Sequence, residues 1–83
     1  GILEEALTTP IRFNYDPAKR LATWEGEGSL VVEVFDPLGR LIWLERQAER
    51  AHFEVPGAMS GALIWRCSTR TAGNTARGRF LTP

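Results

Sequence analysis

Leu30-Val31-Val32-Glu33-Val34-Phe35-Asp36-Pro37-Leu38-Gly39-Arg40-Leu41-Ile42-Trp43-Leu44-Glu45 is the stretch on which the fold turns. In an extended chain, successive side chains point to opposite faces. Leu30, Val32 and Val34 therefore share one face, and Val31, Glu33 and Phe35 share the other. β-branched and aromatic residues of this kind favour a pleated, half-buried strand. Asp36-Pro37-Leu38-Gly39 then carries type I turn chemistry, with Asp first, Pro second and Gly last. Gly39 can take the positive φ of a bulge, and residues 40–45 return as the partner strand. This segment is an antiparallel hairpin.

The same period continues outward on both sides. Ile11, Phe13 and Tyr15 alternate with Arg12, Asn14 and Asp16 until Asp16-Pro17 ends the run, since proline cannot donate to a ladder. Residues 21–24 form a short strand, and Glu25-Gly26-Glu27-Gly28 reads as a flexible charged turn. Beyond the hairpin, residues 46–50 read as a polar connection. Ala51, Phe53 and Val55 alternate with His52 and Glu54 as a further strand. Pro56-Gly57 reads as a type II turn with Gly57 at the positive-φ position, and the loop runs on to Gly61. Leu63, Trp65 and Cys67 then share one face of a strand, with Ile64, Arg66 and Ser68 on the other. Ala72-Gly73-Asn74 turns the chain, and residues 75–82 close it with Phe80 as core anchor. About seven short strands with turns at this spacing predict an all-β, Ig-like antiparallel β-sandwich over residues 10–83. Residues 1–9 read as a linker or first edge strand.

A chain of 83 residues, 43% hydrophobic and 24% charged, has room for one small domain. No run is long and apolar enough for a membrane-spanning helix. Ten basic and ten acidic residues cancel, which disfavours nucleic acid as a principal partner. The cancellation hides an asymmetry. Residues 1–54 hold all ten acids and six bases, whereas residues 55–83 hold Arg66, Arg70, Arg77 and Arg79 and no acid. Such a segment reads either as a charged edge that resists aggregation or as a docking surface for an acidic partner or an anionic glycan.

The chain carries one Cys and one His. A disulfide within it is impossible, a zinc site is disfavoured, and Cys67 reads as a small buried hydrophobe. No cofactor motif occurs. Ser29, Ser60, Ser68, His52, Asp16 and Asp36 supply the residue types of a hydrolase. No serine lies in a nucleophile elbow, and His52 falls on a polar strand face, so the chain reads as non-catalytic. Trp65 is in phase with the core. Trp43 is out of phase with Ile42 and Leu44 and is expected on the outer face. There it would stack on a sugar or partner, or lie under arginine stems.

Several segments, taken in order, resemble one family. Asp16-Pro17 followed by Leu21 resembles an Asn-Pro-x-x-x-Leu opening. Residues 30–40 resemble a strand-Asp-x-x-Gly-Arg hairpin. Residues 59–66 resemble a Pro-x-Gly-x-Tyr-x-x-Arg strand, and Arg79-Phe80-Leu81 resembles the apolar closing strand. Together they resemble the C-terminal sorting domain of type IX secretion substrates, over residues 14–83. Leu63 stands where tyrosine is usual and Met59 where proline is common, and the end lacks the lysine many members carry. These departures bear on cleavage more than on fold.

The resemblance implies an Ig-like sandwich that directs its parent protein through the periplasm and across the outer membrane to the cell surface. The implied partners are the type IX translocon and the surface sortase complex, with anionic lipopolysaccharide as a further one. Two alternatives stand beside it. One is an uncleaved domain of a surface component of that machinery, binding anionic lipopolysaccharide or docking a partner protein. The other is a plain Ig-like spacer. The docking candidates are Arg66, Arg70, Arg77, Arg79, Phe80 and Trp43, and the structural turns are expected at Asp36, Pro37, Gly39, Pro56, Gly57 and Gly61.

Overall fold

The computed structural model describes residues 11–69 and 74–82. Five strands pair antiparallel: β1 (Arg12–Asp16), β2 (Leu21–Phe35), β3 (Leu41–Glu54), β4 (Gly61–Thr69) and β5 (Thr75–Thr82). Among the described residues there is no helix. The all-β antiparallel sandwich expected from the alternation is the fold, built from fewer and longer strands than the seven foreseen. The segment 1–9, Arg70 and the Ala72-Gly73 turn residues lie outside the described residues.

β3 runs along one side of β2. On the other side, β1 pairs with residues 21–25 of β2 and β4 pairs with residues 30–35, while β5 pairs with β4. The expected turn at residues 25–28 and connection at residues 46–50 are therefore strand. Glu25 faces Arg50 and Ser29 faces Ala48, so three residues of β2 stand against Glu49 alone. This is an enlarged bulge, which bends a ladder without ending it. Gly28 has φ 81° and Glu49 has φ 69°, so both strands turn through the left-handed region at the same place. Glycine and charge punctuate a sequence as a loop does; here the pairing on either side carries both strands through.

The bend folds the ribbon over itself. Trp43 and Phe53 lie ten residues apart on β3, which would separate them by roughly 33 Å in a straight strand. Their ring centroids are 4.8 Å apart. One layer is thus β1 with residues 21–25 and 50–54; the other is residues 29–35 and 41–48 with β4 and β5. Strands that pass from layer to layer at a bend form the corner of such a packing. Aromatic rings fill the space between the layers. Phe13 lies 4.8 Å from Trp65 and 5.6 Å from Phe80, and Tyr15 lies 4.6 Å from Phe80. Trp24, fully buried, meets Trp65 edge-on at 6.0 Å and Trp43 at 5.8 Å. Leu30, Val32, Val34 and Cys67 complete the core on the faces that alternation assigned them.

Trp43 corrects the sequence reading. Val34 pairs with Trp43, but Phe35 pairs with Leu41, so Ile42 is an extra residue in a second bulge. The bulge shifts the phase: Trp43 faces inward with Val34, and Leu44 faces outward opposite Glu33. No periodicity count reveals such a shift in advance, because one inserted residue exchanges the two faces.

The hairpin turn is as foreseen. Gly39 N donates to Asp36 O at 2.9 Å, Asp36 N donates to Arg40 O at 2.9 Å, and Gly39 has φ 88°. The Asp36 carboxylate accepts from Leu38 N at 2.9 Å, Arg40 N at 2.8 Å and Arg40 Nε at 2.8 Å. The Arg40 backbone hydrogen bond is the largest of the causes that hold the Asp36 carboxyl below its ordinary 3.8. The second turn differs. Met59 N donates to Pro56 O at 3.0 Å, so Pro56 opens the turn, and Gly57 is not among the positive-φ glycines. Gly61 is, at φ 102°. The type II reading put proline one position too late in the turn. Arg20 Nη2 donates to the Pro56 and Met59 carbonyls at 3.0 and 2.5 Å, tying this turn to the β1–β2 connection.

Two substitutions test this packing. Gly78 faces Trp65 across the β4–β5 ladder, and a Cβ there would stand 2.9 Å from Trp65 Cζ2. Phe13 and Trp24 hold that indole in place, so Gly78→Ala is expected to cost about 1–3 kcal/mol. Melting should fall by roughly 4–8 °C for each kcal/mol; an unchanged Tm would mean the ring gives way. A Cβ on Gly39, by contrast, meets nothing within 4 Å, so only backbone strain opposes substitution. Gly39→Asn should melt above Gly39→Val, because asparagine tolerates the left-handed region and a β-branched residue does not. Equal melting of the two variants would contradict the observed turn.

Candidate docking face

The outer side of the β2–β3–β4–β5 layer gathers what the sequence had scattered. Alternation puts residues 31, 33 and 35 of β2 outside, and the ladders set Arg66 and Leu44 beside Glu33, with Ile64 and Leu41 beside Phe35. On β5, Arg77 faces Arg66, Arg79 faces Ile64 and Leu81 faces Ala62. Three of the four candidate arginines therefore share one face; Arg70 lies outside the described residues. Phe80 and Trp43 do not join them. Phe80 is buried against Phe13 and Tyr15, and Trp43 is half-buried against Trp24 and Phe53, so both pack on the inner side of the layer and not on this face.

The arginines differ in what they are free to do. Arg66 donates from Nε and from Nη2 to Glu33 Oε1, both at 2.7 Å, and its guanidinium lies 6.0 Å from the Phe35 ring centroid. The pair is partly exposed, so it contributes little stability, on the order of 0.2–1 kcal/mol. It fixes where Arg66 points. Among the described residues, Arg77, Arg79 and Arg46 have no carboxylate partner. Arg46 lies on the same outer face, opposite Val31.

Sequence reasoning missed the apolar part of this face. Leu41, Leu44, Ile64 and Leu81 are large and exposed, Leu81 at 72%. The fifth such residue, Leu38, sits in the adjoining hairpin turn. The signal was present for Ile64, which alternation set opposite Trp65. For Leu41 and Leu44 it was hidden by the bulge at Ile42. Leu41 shares a row with Phe35 and Ile64, Leu81 stands one row away on the far edge strand, and Leu44 stands beside the Glu33–Arg66 pair; isolated exposed leucines are ordinary.

A concavity lies in the crease of β3, a groove of about 390 Å³ lined by Trp43, Glu45, Gln47, Arg50 and His52. Three of its polar groups are engaged with protein: Arg50 pairs with Glu25 at 2.9 Å, and Gln47 donates to Glu45. Among the described residues no three of His, Cys, Asp and Glu gather as metal ligands. No helix among them is long and apolar enough to cross a membrane.

No family model matches the chain, and neither does any curated protein or solved structure.

Cys67 lies on the inner side of β4, fully buried, with its thiol pushed up to about 11 by desolvation. At pH 8 only ~0.1% would be thiolate, and the thiolate is the reactive form. An aromatic disulfide reagent at pH 8 should leave the folded chain unlabelled and label one thiol once denaturant unfolds it. Rapid labelling of the folded chain would contradict this placement of Cys67.

Proposed function

We propose that this chain is a non-catalytic sorting domain that directs the protein carrying it through the type IX secretion system to the cell surface. The observation that supports the reading is where the residues of the resemblance fall in the fold. Asp36, Gly39 and Arg40 make the central hairpin turn. Arg66 is paired to Glu33 of the neighbouring strand, and Phe80 of the closing strand fills the core. The motif residues thus specify a folded sandwich, which suits a signal read as a domain rather than as a linear peptide. In this reading the domain passes the periplasm folded, meets the translocon and surface sortase complex, and performs no chemistry itself.

A second reading has an observation of its own. Arg77 and Arg79, without a carboxylate partner among the described residues, favour an uncleaved surface domain that holds anionic lipopolysaccharide or a partner protein, since guanidinium groups match carboxylate and phosphate oxygens. The sorting reading is the one the ordered motifs favour.

Fusion of the 83-residue chain to the C-terminus of a periplasmic reporter, in a bacterium with a working type IX system, tests it. The reporter should reach the surface, and Phe80→Ser, which opens the core, should leave it in the periplasm. Periplasmic retention of the reporter carrying the intact domain would overturn the proposal, and so would equal display of both fusions.

A further inference from the structure

β5 is the outermost strand on its side of the sheet, and its far edge has no partner strand among the described residues. The outer edges of β1 and β3 are open in the same sense, but both are blunted. β1 is five residues long and stops at Asp16-Pro17. The ladder of β3 shifts register twice, at Ile42 and at Glu49. Shortness and bulges are devices that keep an edge from accepting another strand. β5 has neither: its eight residues pair with β4 without a shift.

The register fixes which backbone groups of β5 face outward. Thr69 N donates to Asn74 O at 2.8 Å, so that row is a hydrogen-bonded one. Hydrogen-bonded and non-hydrogen-bonded rows alternate along an antiparallel ladder. Ala76, Gly78, Phe80 and Thr82 therefore turn their N–H and C=O groups to β4. Thr75, Arg77, Arg79 and Leu81 turn theirs to the open side, and the same four residues are exposed. Arg77 and Arg79 thus stand about 6.8 Å apart along the edge, with no carboxylate partner among the described residues.

These features select the occupant. A row of backbone donors and acceptors is matched by another extended chain and not by a lipid surface. Residues two apart share one face of a strand, so carboxylates on alternate residues meet both arginines at once. A second copy of β5 does not supply them. Every antiparallel register that pairs both arginines within β5 sets an arginine against an arginine, and like charges directly opposite destabilise a pair. The other open-edge strands, β1 and β3, carry no two acids two residues apart. Glu4 and Glu5 are adjacent in sequence, so an extended run through them would turn only one to the arginines.

We infer that the open edge of β5 takes an extended acidic segment of a partner protein as an added antiparallel strand. Its pattern is Leu-x-Glu-x-Glu, with the apolar residue opposite Leu81 and the carboxylates opposite Arg79 and Arg77. The inference needs neither secretion nor cleavage. It holds or fails on the binding behaviour of the chain alone.

Fluorescence anisotropy of a labelled peptide, Thr-Leu-Thr-Glu-Thr-Glu-Thr-Thr, titrated with the 83-residue chain tests it. The peptide should bind at low salt and bind more weakly at high salt, where exposed charge pairs are screened. Arg77→Gln/Arg79→Gln should bind it at least tenfold more weakly; both arginines are exposed, and an unchanged melting curve would show that the variant is folded. Arg77→Glu/Arg79→Glu should prefer the peptide with lysine at both glutamate positions. The glutamate N–H groups enter the new ladder, so N-methylation of both glutamates should abolish binding. N-methylation of the threonine before each glutamate should leave binding intact, because those N–H groups point away from β5. Equal loss from the two methylated peptides would overturn the inference, as would equal binding by the glutamine variant or no binding at low salt. Binding that appears only in Glu4→Lys/Glu5→Lys would assign the edge to the chain's own start, and a dimer that the peptide dissociates would assign it to a second copy. Either result overturns the partner strand.

Discussion

The contact between Trp43 and Phe53 is the constraint on which the rest of the domain depends. Two residues of one strand can meet only if that strand doubles back, and β3 does so at Glu49, where β2 doubles back at Gly28. Left-handed backbone at a non-glycine residue costs on the order of 1–2 kcal/mol. Burial of Trp24, Trp43 and Phe53 between the folded halves offsets that cost, since each large side chain removed from water contributes about 1.5–3 kcal/mol. Without the bend there are no two layers, and β1 has nothing to cover.

Once the ribbon is folded, the remaining elements have few choices. β1 adds to the half of β2 that β4 leaves open, and its Phe13 and Tyr15 reach across to Trp65 and Phe80. β5 must come close under Trp65, and Gly78 gives the indole room. The inner rows consume the aromatic residues almost completely. What is left for the outside of the second layer is aliphatic and arginine-rich.

The central hairpin was legible because its cues are local. Asp36, Pro37 and Gly39 fix the turn through their own dihedral preferences and through side-chain acceptors within four residues. The inner rows at Leu30–Val34 and Leu63–Cys67 were legible because period two survives wherever no bulge intervenes. The arginine set was legible as a composition bias in residues 55–83, but its neighbours were not. Leu44 and Trp43 exchanged faces because Ile42 is an extra residue, and alternation carries no mark of an insertion.

By itself, then, the sequence determined the all-β class, the hairpin turn, the buried Cys67, the core positions of Trp65 and Phe80, and a basic, acid-free final segment. Each of these depends on neighbours close in the chain or on a simple alternation. Only the tertiary structure decided that residues 25–28 and 46–50 are strand, that Trp43 is core, and that Arg77, Arg79, Ile64 and Leu81 share a face with Leu41 and Leu44. Those outcomes depend on pairing between distant segments. Glycine and charge in mid-strand are unfavourable locally, and the bend they permit is repaid only when the two halves of the ribbon close on their aromatic rings.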